Sequence, residues 1–323
     1  MYCRRWLFVV VLLLTAPQVW SQSLGPDAYS FVHPFGLSTA TTTRQHGMGG
    51  IISCVNEAGF ANPAYAACQA RPAAGMQVNT TEFDFGPRVT SVHAHYLLPA
   101  KPNDRGWQFN IFTLDSYGGS GLAGPQLDMA ENDLSIDYGQ RLSRKLTAGI
   151  GVSPYSKIDF DVSGPGGVTL LSVRSESDLG ARIGLAYEWF PGDFVGLVGD
   201  YYQETASVAG LGDLVFHTSL LAVGASRHLG DSLVLAAEFQ RGESKSGALE
   251  DTLNGWHFGA EYKPAGHLAF RAGLNDTQPT FGIGFDDGRW AVDYAYVKDW
   301  NDDIAGGLLG GSKTHSLHAT YCW

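Results

Sequence analysis

The sequence predicts an all-β chain: a transmembrane antiparallel β-barrel of about 14 strands with an N-terminal plug segment in its lumen. Three observations predict it. Apolar and polar residues alternate two by two through the second half. In the final stretch His315, Leu317, Ala319, Tyr321 and Trp323 share one face, and Thr314, Ser316, His318, Thr320 and Cys322 share the other. Successive side chains of a strand point to opposite faces, so this pattern buries or wets one side only. Second, charged residues are only 16% of the chain, while aromatics reach 12% and glycine 41 of 323. Soluble domains carry about 25% charge. Third, no run of about 20 apolar residues exists to cross a bilayer as a helix. A soluble sandwich also alternates, but its polar face carries many Lys, Thr and Glu residues. Here that face is rich in glycine and isolated charges, as a crowded lumen is.

In chain order, residues 1–21 read as a secretory signal peptide. Arg4 and Arg5 give the positive start, Leu7 to Leu14 the apolar core, and Val19-Trp20-Ser21 a cleavage site. Residues 22–74 do not alternate. Pro26, Pro34, Pro63 and Pro72, a Ser/Thr-rich stretch and the run Gly47-Met48-Gly49-Gly50 mark an irregular segment. The barrel is assigned to 75–323. Its strands are expected near 76–85, 88–98, 106–115, 133–142, 145–155, 178–190, 193–205, 214–227, 232–241, 254–263, 266–274, 279–286, 289–298 and 313–323. Tight turns such as Pro191-Gly192, Gly230-Asp231 and Asp286-Asp287-Gly288 separate some of them. Longer connections are expected at 116–132, 156–177, 242–252 and 299–312, which gives one short-turn end and one long-loop end.

Parity puts Arg182, Glu188, Asp200, Glu238, Glu261, Arg271 and Asp293 on the lumen side. Buried charges must pair, so a structural network is their first reading and substrate contact the second. His217, His257, His267 and His318 read as lumen filler. Cys54 and Cys68 either close a disulfide loop, which contributes about 3 kcal/mol in the chain-entropy model, or stay free thiols. No CxxC or HExxH motif indicates a metal, no cofactor is expected, and no GxSxG elbow marks an activated serine. The net charge of −11 argues against a nucleic-acid partner.

Residues 44–64 carry a family likeness. Arg44-Gln45-His46-Gly47-Met48-Gly49-Gly50, with Asn62-Pro63-Ala64 before the first strand, resembles the N-terminal hatch of FadL-type outer-membrane transporters and of the related PorV/PorQ group. The C-terminal strands (His257 to Tyr262, Leu268 to Gly273, Phe281 to Phe285, Asp293 to Tyr296) look closer to PorV-like sequences. The resemblance implies an outer-membrane location and a hatch formed around Gly47, Met48, Gly49, Gly50, Asn62, Pro63 and Ala64. Three glycines allow positive φ and close approach to a wall, and Asn62 before Pro63 is turn chemistry; the plain reading is a flexible loop.

Two functions follow. One is passive transport of hydrophobic compounds of the long-chain fatty acid class, entering past Leu122, Leu127, Met129, Ile304, Leu308 and Leu309, which otherwise serve loop packing. The other is a PorV-like barrel that binds secreted proteins or a secretion machine. Expected partners in either case are outer-membrane lipids and the barrel assembly machinery. That machinery would engage the last strand, with Tyr321 and Trp323 toward lipid as an insertion signal.

Overall fold

The computed structural model of the protein describes residues 42–56, 62–84, 88–117, 126–163, 169–208, 212–247, 249–264, 266–298 and 312–323. The signal peptide, residues 22–41 of the N-terminal segment, and Leu122, Ile304, Leu308 and Leu309 lie outside them, as do the side chains of Leu127 and Met129.

Fourteen strands form one closed antiparallel barrel in which each pairs with its chain neighbours and the first with the last. They are β1 (Ala73–Phe83), β2 (Arg88–Lys101), β3 (Arg105–Tyr117), β4 (Gln126–Arg141), β5 (Leu146–Ser163), β6 (Thr169–Phe190) and β7 (Asp193–Val208). The circuit continues with β8 (Gly212–Leu229), β9 (Leu233–Ser246), β10 (Leu249–Tyr262), β11 (Leu268–Asn275), β12 (Gln278–Asp286), β13 (Trp290–Lys298) and β14 (Ser312–Cys322). Full closure leaves no strand edge unpaired, which is what a bilayer without water demands.

The alternation is where the sequence puts it. Along β14, Thr314, Ser316 and His318 are buried inward while Leu317 and Trp323 stand exposed outside. Outside, Ile111, Ile150, Ile183, Phe258, Phe270 and Phe281 belong to a broad apolar belt. At the turn end aromatic pairs rim it. Tyr96 stacks on Trp323 with centroids 5.8 Å apart, Trp107 meets Tyr138 at 4.7 Å, and Trp290 meets Tyr321 at 4.7 Å. An apolar band flanked by an aromatic girdle is the exterior of a membrane-spanning barrel.

Three expected loops are mostly strand. β4 begins at Gln126, β5 runs on to Ser163 before β6 starts at Thr169, and β9 and β10 come within two residues of each other. These extensions do alternate, Ile158, Phe160 and Val162 against Lys157, Asp159 and Asp161, but with Ile158 and Val173 buried inward, so the parity is the reverse of the belt's and the apolar-out rule does not read them. The first strand also starts at Ala73, two residues before the expected boundary.

Candidate functional site: a strap around the inner wall

Residues 42–56 and 62–68 lie inside the barrel. Thr42 caps a short helix, α1 (Thr43–Gly47): its hydroxyl accepts from Gln45 N, and the Gln45 side chain returns a bond to Thr42 N, a reciprocal capping box. Gly49 and Gly50 follow at φ 83° and 82°, backbone that a β-carbon disfavours. Asn62 caps a 3-10 helix (Pro63–Cys68), accepting from Ala64 N at 3.0 Å. Its amide nitrogen also donates to Ser53 O and to Leu185 O of the wall.

This segment passes strand after strand in reverse order, touching wall glycines. At Gly282 of β12, Gly273 of β11 and Gly259 of β10, a β-carbon would press on Gly47, Gly49 and Met48 respectively. At Gly224 of β8 and Gly196 of β7 it would meet Ser53, and at Gly184 of β6 and Gly149 of β5 it would run into Asn62, Pro63 and Ala64. Gly139 of β4 and Gly106 of β3 do the same against Ala64 to Ala67. On β9 the described contact is a side chain instead, Glu238. The glycines that read as lumen crowding are therefore a track cut for one passenger, the chain's own N-terminal strap.

Polar tethers hold it. Glu238 accepts from Ile52 N, Ser53 N (2.6 Å), Ser53 Oγ and Gln240 Nε2 (2.7 Å). His257 Nδ1 bonds Gly49 O at 2.7 Å, Gln240 reaches Gly50 O, and Thr280 reaches Gly47 O. Thr43 bonds Gln77 of β1 and Ser316 of β14 across the closing seam. Arg44 grips Glu261 with two bonds of 2.8 Å. Glu261, fully buried, also takes Arg271 at 2.6 Å and Lys263 at 3.3 Å, and Arg271 extends to Asp293 at 2.6 Å. A bidentate fork of this kind is among the strongest charge-assisted contacts.

The predicted lumen charges fall into separate groups. Glu261, Arg271 and Asp293 form one, completed by Arg44. Arg182 and Asp200 form another, paired at 2.7 Å, with Tyr202 OH at 3.0 Å and Asp137 at 4.0 Å. Glu188 stands apart near the turn end and accepts from Gly192 N. In both groups a guanidinium spans two strands by crossing a glycine. Arg271 passes Gly284 of β12 to reach Asp293, and Arg182 passes Gly151 of β5 to approach Asp137. A lumen-face glycine beside an Arg and an acid is the signal that locates such networks.

Apolar side chains of the strap fill the space between tethers. Ile52 packs on Val198, Leu220 and Ala222, Met48 and Ile51 cluster with Cys54, Val55 and Ala236, and Tyr65 with Ala64 and Ala186. Cys54 and Cys68 are free thiols, so of the two readings the structure holds the unbonded one; both line a 380 Å³ cavity at the turn end with Arg44, Arg141, Glu188 and His228. His257 and His318 are lumenal, but His217 faces outward with Tyr201 OH at 2.9 Å and His267 is exposed at a turn.

Parity alone missed one further set. Toward the loop end, Val89, Leu114, Ile158, Val173, Phe216 and Val297 are buried on the inward face. A polar-lumen reading gives these apolar residues no reason; they lie among buried polar residues such as Thr81, Glu131, Glu204 and Thr314.

No family model and no curated protein matches the sequence. Solved structures do match in fold. The toluene transporter TodX of Pseudomonas putida aligns with a TM-score of 0.61 at 15% identity, over 88% of this chain and 98% of that one. The toluene transporter TbuX of Ralstonia pickettii gives 0.58 at 16%, over 88% and 97%. A FadL homologue of Pseudomonas aeruginosa gives 0.55 at 13%, over 87% and 98%. The chain has the fold these proteins share.

Proposed function

We propose that the protein is an outer-membrane channel for passive passage of small hydrophobic molecules, with the strap as its hatch. The observation that carries this reading is the strap itself, a lumenal segment held by side-chain tethers rather than by strand pairing, so it moves without unzipping the barrel. The apolar inward residues of the loop-end half supply a place for a greasy solute to enter. In this reading the exported N-terminus brings the chain to the outer membrane. The assembly machinery takes the last strand, and deleting Trp323 reduces insertion more than folding in detergent.

The names of TodX and TbuX point to toluene-sized hydrocarbons, whereas the hatch likeness alone pointed to long-chain fatty acids. Vesicles carrying the purified protein should take up a labelled monoaromatic hydrocarbon faster than empty vesicles. Labelled oleate run in parallel separates the two classes. No gain for either compound sinks the channel reading. Recovery of a secretion component at one copy per barrel from native membranes would support the PorV-like alternative instead.

A further inference from the structure

The outer face of β8–β11 interrupts the belt of large side chains. Two same-face rows cross these strands in register. One runs Arg227, Leu235, Ala260, Ala272; the other runs Ala225, Ala237, Phe258, Leu274. Four alanines stand side by side on these two rows, and they leave an open groove of about 690 Å³. Its lining is almost wholly apolar, with Leu235, Phe258 and Leu274 as walls. That volume is within the range of about 300–1,000 Å³ typical of small-molecule sites.

At the turn end of the groove sits Arg227, two residues before the end of β8. Its guanidinium lies 5.7 Å from the ring centre of Trp189, and among the described residues it has no ion-pair partner. Asp193, the acid within its electrostatic reach, is already taken by the backbone N–H of His228 at 2.6 Å and by its ring at 3.0 Å. A guanidinium stacked on one face keeps its edge donors, and these match phosphate oxygens in pairs.

We propose that this groove binds one phospholipid of the leaflet at the turn end, an acyl chain lying along the alanines and its phosphate on Arg227. Basic residues at the interface beside an apolar cleft are what lipid head groups select. A second copy of the chain would have to bring a carboxylate to Arg227 and a ridge narrow enough for the groove. Lipid A belongs to the opposite leaflet. The inference rests on the barrel spanning a bilayer and not on what passes through it, so failed uptake leaves it standing.

The test uses the full chain, purified, stripped of lipid and titrated with phosphatidylglycerol under native mass spectrometry. One lipid per barrel should survive activation that removes the rest. Arg227→Gln should lower its retention about tenfold or more, the scale of a lost charge-assisted pair. Ala260→Leu should lower it with Arg227 intact, and Ala94→Leu, on the outer face of β2, should not. These outward positions leave the lumen untouched, and unchanged heat-modifiability on gels shows that each variant folds. Equal retention in all four proteins overturns the site. Preferential retention of lipid A, or a dimer that Ala260→Leu dissolves, overturns the choice of occupant.

Discussion

Both ends of the strap pack on wall glycines, and they differ in how many polar tethers are added to that packing. From Thr43 to Ser53, facing β7–β14 and β1, the strap is tied by hydrogen bonds and by the Arg44–Glu261 fork, with Glu238 gathering two backbone N–H groups. From Asn62 to Ala67, facing β3–β6, glycine-to-backbone packing and the buried Tyr65 carry fewer polar contacts: the Asn62 cap, the Asn62 amide on Leu185 O of the wall, and Asn62 and Tyr65 OH on Ser53 O. Polar tethers are directional and can be exchanged for water or for a passing polar group. Close backbone packing has no such substitute. The more heavily tethered first end has the chemistry of a latch, and the second, whose helix is joined to β1 through residues 69–72, has that of a fixed anchor.

Thiol labelling reads the two ends separately, because Cys54 lies beside the latch and Cys68 ends the anchor. The largest effect is expected from Glu261→Ala. It leaves Arg44, Arg271 and Lys263 around an empty site, and removing one partner of a buried pair costs about 3–5 kcal/mol. Cys54 labelling should rise steeply while Cys68 stays slow; equal acceleration of both would show that the strap moves as one piece. Gly149→Val comes next, forcing a side chain into Pro63 and Ala64 at an overpacking cost of about 1–3 kcal/mol. Here Cys68 should respond and Cys54 should not. Asn62→Ala removes the cap, worth about 0.5–2 kcal/mol at a helix N-terminus, and also the bond to Ser53 O, so it should loosen both ends modestly in denaturant titrations.

The smallest effect belongs to Asp287, in the β12–β13 turn outside both ends. Backbone N–H groups of Trp290 and Arg289 hold its carboxyl below the usual range. Its contribution is therefore present above the ordinary carboxylate pKa and is lost as the pH falls through the depressed one. Asp287→Asn should flatten that acid limb of barrel stability and leave both labelling rates unchanged. A change in Cys54 labelling would mean that the turn and the latch are coupled.

The barrel was legible because lipid writes a period of two into every strand that crosses it. Leu317 against His318, or Phe258 against His257, declares its side without a partner in view. Past the belt the period of two continues but its parity inverts, with Ile158 inward between Lys157 and Asp159, and so the outer reaches of β5 and β6 read as loops. The strap was legible as a motif, since Gly49 and Gly50 need positive φ and Asn62 precedes a proline. Its tethers were not. Arg44 and Glu261 are 217 residues apart, and Ile52 and Glu238 are 186 apart. Nothing local in either stretch names the other. The inward glycines announced a crowded interior without saying what crowds it. The apolar inward residues of the outer half broke the rule that made the rest readable.

The seam between β1 and β14 gives the strap a consequence for assembly. The ring is complete only when the last strand meets the first, and Thr43 bonds both sides of that seam, to Gln77 and to Ser316 273 residues away. A segment in contact with strands from β3 round to β14 is most easily seated while the sheet is still open. Seated at that stage, it would act as a mandrel around which the sheet curls, glycine by glycine, before the final pairing shuts both together. The N-terminal strap would then be the former on which the last strand is closed.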